Sequence, residues 1–339
     1  MDWYFNMKAG TAMRELSYSE AIREAMCEEM RQNPNVFLMG EDVGVFNGVW
    51  GVSHDMLTEF GPERIRDTAI SELNIIGSGL GAALVGMRPI VEIMFGDFLM
   101  CAGDQIVNQV AKARFMSGGK ADVPLTIRIT TGAPGSSAAQ HSQSPESWFM
   151  NIPGLKIVTP ATPADAKGLL KTAIRGEDPV LFFEHKMLYA STGPVPDDPN
   201  FTVPFGKAAV VREGKDITLI GIGIMVSKSL EAAKKLAELG IDAEVIDPRT
   251  LVPLDKDTLI RSVAKTGRVV IAHEAHRRSG PGAEIAAVLA EEAIEYLDGP
   301  IIRIGAKNVP LPYSPELEDH VLPGDKDIFE AAIKLCNRS

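Results

Sequence analysis

In "LSYSEAIREAMCEEMRQNP", Ala21, Ile22, Ala25, Met26 and Met30 recur at helical spacing behind Ser17-x-x-Glu20, a capping-box pattern. A helix is predicted to start there. The short apolar runs "VFLMG", "RPIVEIMF", "PLTIRIT", "LKIVTP" and "PVLFFEH" read as buried strands. Between them, "DQIVNQVAKARFM" is expected to be helical from about Asp104, and Pro163 opens a helix in "PADAKGLLKTAIRG". "TGAPGSSAAQHSQSPES" is a loop by composition. The stretch "ELNIIGSGLGAALVGM" scans as a helix of small and apolar residues, expected to be packed closely on all sides.

From Thr192 to Pro204 the pattern stops in the Pro- and Asp-rich "TGPVPDDPNFTVP". It resumes as "DITLIGIG", "VSKSLEAAKKLAELG", "IDAEVIDP", "DKDTLIRSVAKTG", "RVVIAHE", "GAEIAAVLAEEAIEYL" and "PIIRIGA", with a last helix near "KDIFEAAIKLC". Strands alternating with helices imply largely parallel sheets covered on both faces, an α/β fold with two doubly wound domains. The expected division is 1–190, a linker over 191–215, and 216–339.

With 339 residues the chain is long enough for two cores, and 45% hydrophobic with 23% charged residues is ordinary for a globular protein. The formal net charge of -11 argues against nucleic acid or an anionic membrane surface as the main partner. No apolar run is long enough for a transmembrane helix, and the opening has no basic-then-apolar signal pattern; Met7 or Met13 would serve equally as starts. Cys27, Cys101 and Cys336 stand far apart without a CxxC pair, which fits a reducing cytoplasm rather than a disulfide framework or zinc site.

Individual motifs are weak. Gly221 and Gly223 in "GIGIMVS", followed by Asp247, have roughly the layout of a dinucleotide-binding turn, but Val226 stands where a third glycine is needed. A nicotinamide-dependent oxidoreductase is therefore the alternative reading. "SGGK" lacks P-loop spacing, and "PGSSAAQHS" contains no nucleophile elbow. His141 lies in a polar loop after a strand, where ligands of α/β sheets bind, though a loop histidine that caps a neighbour is the commoner case. Glu72 alone reads as a first-turn acid favoured by the helix dipole, and Met94 and Phe98 read as core.

Taken together and in order, "GEDVG", "RDTAISELNIIGSGLGAALVGMRPIVEIMFGDF", "DQIVNQVAKARFMSGGK", "QHSQSPE", "PGLKIVTPATPADAKGLLKTAIR", "DPVLFFEHKMLY" and "IDPRTLVPLDKDTL" change the picture. The chain resembles, from about Glu15 to its last helix, the beta subunit of the thiamine diphosphate-dependent decarboxylase component of 2-oxo acid dehydrogenase complexes. Pyruvate, branched-chain 2-oxo acid and acetoin dehydrogenases share this subunit type. The resemblance implies a pyrimidine-binding domain, a transketolase-type C-terminal domain and an α2β2 heterotetramer that passes an acyl group to lipoamide.

It also implies roles. Glu72 matches the glutamate that hydrogen-bonds N1′ of the aminopyrimidine, so that the ring's exocyclic nitrogen can remove the thiazolium C2 proton. Burial among apolar atoms would raise its carboxyl pKa and suit proton sharing. Phe98 matches the aromatic that stacks on the pyrimidine, Met94 lines the same pocket, and Cys101 stands where pyruvate enzymes often have glutamine. His141 matches the histidine that holds or protonates the substrate-derived intermediate, or assists acyl transfer. A potassium ion held by carbonyls would fall near Leu125, Ala173, Ile174 and Asp178, with Gly176 where an acid is expected. "FFEHKMLY" leans towards the acetoin-cleaving branch. Glu291, Glu292, Glu295, Glu316, Glu318 and Asp319 are the acids expected to dock the dihydrolipoyl acyltransferase core.

The holder of the diphosphate is missing. Enzymes of this type bind Mg2+ through a G-D-G stretch with an asparagine some thirty residues on; "LDGP" lacks the first glycine and "MGEDVG" has its acid out of frame. The chain is expected to be half of an active site, with the Mg2+ ligands on a separate alpha chain.

Overall fold

The computed structural model describes residues 12–133 and 135–337. They form two compact units, one from 12–131 with 148–205, the other from 132–147 with 206–337.

The first unit is built on a parallel sheet in the order Lys156–Val158, Val180–His185, Thr126–Thr131, Arg88–Ile93, Val36–Gly40, Ile65–Asp67. The inner strands are buried along their whole length, as continuous apolar runs in a doubly covered sheet should be. The expected capping box is present: Ser17 Oγ accepts from Glu20 N at 3.2 Å, and Glu20 Oε2 accepts from Ser17 N at 2.8 Å, starting the helix Tyr18–Gln32. That helix packs on Pro163–Arg175, which Thr162 caps by accepting from Asp165 N. Lys167 and Lys171, both 0% exposed, are neutralised between them by Glu24, Glu28 and Glu29.

Two expectations are refined. The helix expected from Asp104 is present, but it winds as a π-helical segment Gln105–Val110 before the α-helix Ala111–Met116, and a separate 3-10 run, Gly96–Ala102, precedes it. The supposed linker contains the strand Thr192–Pro196, paired antiparallel with Met13–Ser17 in a two-stranded ribbon that tolerates Pro194 and Pro196. The change of unit falls between 205 and 206, and 132–147 is a second crossing that no single boundary describes.

The second unit has four parallel strands, Ile302–Ala306, Val269–His276, Ile217–Gly221 and Ala243–Asp247, with Ala209–Arg212 antiparallel at the edge. The helices Met225–Glu238, Lys256–Thr266, Pro281–Glu292 and Asp325–Cys336 accompany it. The Gly221 turn is packing chemistry: an added Cβ would stand 2.6 Å from Met225 O. Asp247 is 0% exposed and accepts from Arg249 N at 2.7 Å, so it presents no carboxylate to a ribose. No helix among the described residues is long and apolar enough to cross a membrane.

Candidate active site

Glu72 is half-buried and heads the helix Glu72–Leu84. Its neighbours are packed on one side only. Ile75, Ile76, Gly79, Leu80 and Ala83 face the sheet, and a Cβ on Gly79 would stand 2.9 Å from Val91 Cγ1 and 3.0 Å from Leu125 Cδ1. Glycine there lets the helix lie directly on the strands. The other side, with Leu73, Asn74, Ser78, Gly81 and Leu84, is exposed, which corrects the expectation of all-round packing. Ile70 and Val85 extend this face at 83% and 80% exposure.

The strand Val36–Gly40 ends at Glu41, which the sequence reading passed over inside "GEDVG". Burial raises the Glu41 carboxyl above its ordinary range, and the charges of Glu72, Asp42 and Glu92 raise it further. Glu41 thus feels the charge of Glu72 together with those of Asp42 and Glu92. An acid placed directly after a fully buried strand of a parallel sheet is the signal that would have found Glu41. Asp67 fixes the following loop, accepting from Gly44 N at 2.6 Å and Val45 N at 3.0 Å.

Met94 and Phe98 are half-buried on the segment that leaves Arg88–Ile93, and Cys101 is exposed in the same 3-10 turn run. Phe98 closes a chain of rings that the sequence did not reveal. Phe95 meets Phe98 edge-on at 5.8 Å, Trp50 meets Phe95 edge-on at 6.0 Å, and Trp50 stacks on Tyr189 at 5.7 Å. Behind Tyr189 lies a buried ionic cluster. Arg128 donates to Glu184 through Nε and Nη2, both at 2.7 Å, and to Glu92 through Nη1 at 2.5 Å. Tyr189 Oη donates to Glu184 at 2.8 Å and shares a 2.8 Å bond with Thr130.

His141 belongs to the other unit. It is half-buried in the loop 132–147, whose backbone is held by two carboxylates. Glu274 Oε1 accepts from Ala133 N at 2.7 Å, and Glu318 Oε2 accepts from Gly135 N at 3.2 Å and Ser136 N at 3.1 Å. Glu318 is only 2% exposed, so it is removed from the set of docking acids; Glu291, Glu292, Glu295, Glu316 and Asp319 are exposed.

Each residue expected around potassium already has a partner for its oxygen in this structure. Leu125 O accepts from Val180 N at 3.0 Å and Ala173 O from Gly176 N at 3.1 Å. Arg88 Nη1 donates to Ile174 O at 3.0 Å and to Gly176 O at 2.8 Å, placing a positive charge on the carbonyls already. Asp178 is paired with Lys156 at 2.8 Å and Arg114 at 3.5 Å.

Comparison with known proteins adds the following. Residues 14–192 match the family described as transketolase, pyrimidine binding domain, and residues 206–328 match transketolase, C-terminal domain. The acetoin:2,6-dichlorophenolindophenol oxidoreductase subunit beta of Bacillus subtilis (strain 168) is 48% identical over 334 residues, covering 95% of this chain and 97% of that protein. The pyruvate dehydrogenase E1 component subunit beta of Rhizobium meliloti (strain 1021) is 47% identical over 328 residues, covering 97% of this chain and 71% of that protein. Among solved structures, a split gene transketolase, described as an inactive beta4 tetramer, superposes with a TM-score of 0.78 at 26% identity, covering 95% of this chain and 98% of that one.

Proposed function

This chain belongs to the transketolase-type beta subunits of the first component of pyruvate and acetoin dehydrogenases, and on that footing we propose that it carries the pyrimidine half of a thiamine diphosphate site. The observation that carries the reading is Glu72, a half-buried carboxylate heading a helix laid on the parallel sheet, with Glu41 raised beside it. Bound thiamine diphosphate supplies a carbon nucleophile for a substrate carbonyl. This chain's part is to share a proton with N1′ through Glu72 and to seat the ring on Phe98 with Met94 and Cys101 at its border. Small or apolar residues at these positions allow close approach of a flat ring. His141 holds or protonates the substrate-derived group, or assists acyl transfer to lipoamide.

The diphosphate and Mg2+ are assigned to an alpha chain, in an α2β2 heterotetramer, and the exposed face of Glu72–Leu84 with Ile70 and Val85 suits burial by a second chain. Potassium is left out of the proposal: Arg88 already donates to Ile174 O, one of the carbonyls expected to hold it, and Gly176 supplies no acid. Acetoin is the first substrate and a small 2-oxo acid the second. The relatives at 48% and 47% identity divide evenly between these branches, and the preference rests on "FFEHKMLY". The exposed acids Glu291, Glu292, Glu295, Glu316 and Asp319 are assigned to docking a basic module of the dihydrolipoyl acyltransferase core, an attachment that should weaken as salt rises. A cytoplasmic setting accompanies this reading.

The test is calorimetry with thiamine diphosphate and Mg2+ on the isolated chain and on the co-expressed pair, followed by dye-reduction assays of the pair with acetoin, pyruvate and branched 2-oxo acids. The isolated chain should bind weakly and turn over nothing. Tight Mg2+-dependent binding by the chain alone would overturn the half-site reading, and faster turnover of pyruvate than of acetoin would reverse the substrate order.

A further inference from the structure

Two residues of the loop 132–147 adopt a backbone that their side chains do not favour. Ser136 and Ala138 stand in the left-handed region at φ 52° and 59°, with Gly132 at 88° and Gly135 at 143°. A side chain at positive φ is strained, and such a conformation persists only where the surroundings over-determine it. Here the surroundings are specific. The loop's root, Ala133, is fully buried in a small cluster with Ala306, Leu311 and Val321. Val321 lies on the helix Pro315–Val321, and the same helix aims Glu318 back at the loop.

One oxygen of Glu318 accepts from two successive amides, those of Gly135 and Ser136. Consecutive N–H groups converging on one anionic oxygen form a nest, a preformed concavity for negative charge. Glu318 is 2% exposed and forms no ion pair among the described residues, so these amide dipoles are its charge compensation. On the strand Val269–His276, Glu274 takes Ala133 N at 2.7 Å and Ser144 Oγ at 3.5 Å. The two carboxylates therefore hold the loop on both sides of His141, at 133–136 and at 144.

We propose that Glu318 is a positioning residue for His141: its buried carboxylate fixes the strained loop and thereby the stance of the imidazole, without touching substrate. The proposal rests on the role given to His141 above. A charged acceptor is needed because a neutral amide satisfies two backbone donors less well than a carboxylate does.

The test uses the assembled enzyme with its partner chain and four forms: wild type, Glu318→Gln, His141→Ala and the double variant. Glu318→Gln should keep thiamine diphosphate binding and leave the melting temperature of the assembly within a few degrees of wild type. It should speed amide hydrogen exchange in 132–147 several-fold, with exchange elsewhere in the unit unchanged. It should lower kcat several-fold, and that cost should vanish once His141 is already alanine, because residues acting as one unit are non-additive. An equal fractional loss of kcat in both backgrounds, or unaltered exchange in the loop, would overturn the Glu318 proposal and leave the role of His141 standing. If His141→Ala itself leaves kcat at the wild-type value, the role of His141 fails and the proposal fails with it. Glu318→Ala in the same cycle removes the accepting oxygen altogether and must show the larger effect.

Discussion

Glu184 and Glu41 stand at the ends of two strands of one parallel sheet, and their surroundings are opposite. Glu184 is 0% exposed and takes two bonds from Arg128, with Tyr189 supplying a third. Burial pushes its carboxyl upward and Arg128 pulls it back. Arg128 is itself held charged, the two carboxylates outweighing its desolvation. Glu41 is half-buried, forms no ion pair among the described residues, and faces Glu72, Asp42 and Glu92. Glu92 borders both groups. The same residue type thus stands in two settings: where an arginine is built in, the charge is compensated, and where it is left out, burial and like charges disfavour the ionised form.

Breaking the uncompensated side should have the largest effect. Glu72→Gln keeps shape but not proton exchange, so turnover of the assembled enzyme should fall roughly 10²–10⁴-fold, the worth of a positioned acid or base. Circular dichroism should show the fold intact. Near-wild-type exchange of the cofactor's C2 proton in that variant would sink the assignment of Glu72.

The compensated side should respond in stability instead. Arg128→Met leaves Glu92 and Glu184 buried without their cation, and should cost about 3–5 kcal/mol in chemical denaturation of the full chain. Replacing both acids by apolar residues as well should recover much of that loss. A variant as stable as wild type would show that the cluster's charges are already neutral. A smaller step is Tyr189→Phe, which removes one donor to Glu184 but keeps the ring stacked on Trp50. It should cost about 1–3 kcal/mol and spare turnover. A selective fall in kcat with unchanged stability would instead place Tyr189 in the chemistry.

Much of this arrangement could be read from the chain, and the reason for the rest is distance along it. The helix Tyr18–Gln32 announces itself through Ser17 and Glu20, three residues apart, and the buried strands through unbroken apolar runs. Glu72, His141, Met94 and Phe98 were reached through the resemblance of long segments, not through any local pattern. Trp50 and Phe95 were missed because ring contacts have no periodicity. The loop 132–147 was assigned to the first domain because it follows its strand, yet its anchors lie 141 and 183 residues downstream. Glu318 was misread for the same cause: "PELEDH" is a run of surface acids to the eye, and only a loop folded from far upstream buries one of them.

The smallest expected effect is the sharpest test of the contrast between the two acids. Glu41 has a folded-state pKa raised above its unfolded value, burial first and the three neighbouring acids next. Below the ordinary carboxyl range both states carry the proton, and Glu41 contributes nothing to pH dependence. As pH rises through that range the unfolded chain loses its proton first, so the folded state loses stability until the pH passes the folded value, and the penalty is then constant. Glu41→Gln removes this term alone. The variant and wild type should therefore melt together below about pH 3 and separate towards neutrality, with the variant the more stable. Added salt should narrow the gap only in part, because screening acts on Glu72, Asp42 and Glu92 but not on burial. In a Glu72→Gln background the gap should shrink, one of the three charges being gone. A Glu41→Gln variant that is less stable than wild type at neutral pH would mean that a cation compensates Glu41 after all, and the division of this sheet into paired and unpaired acids would not hold.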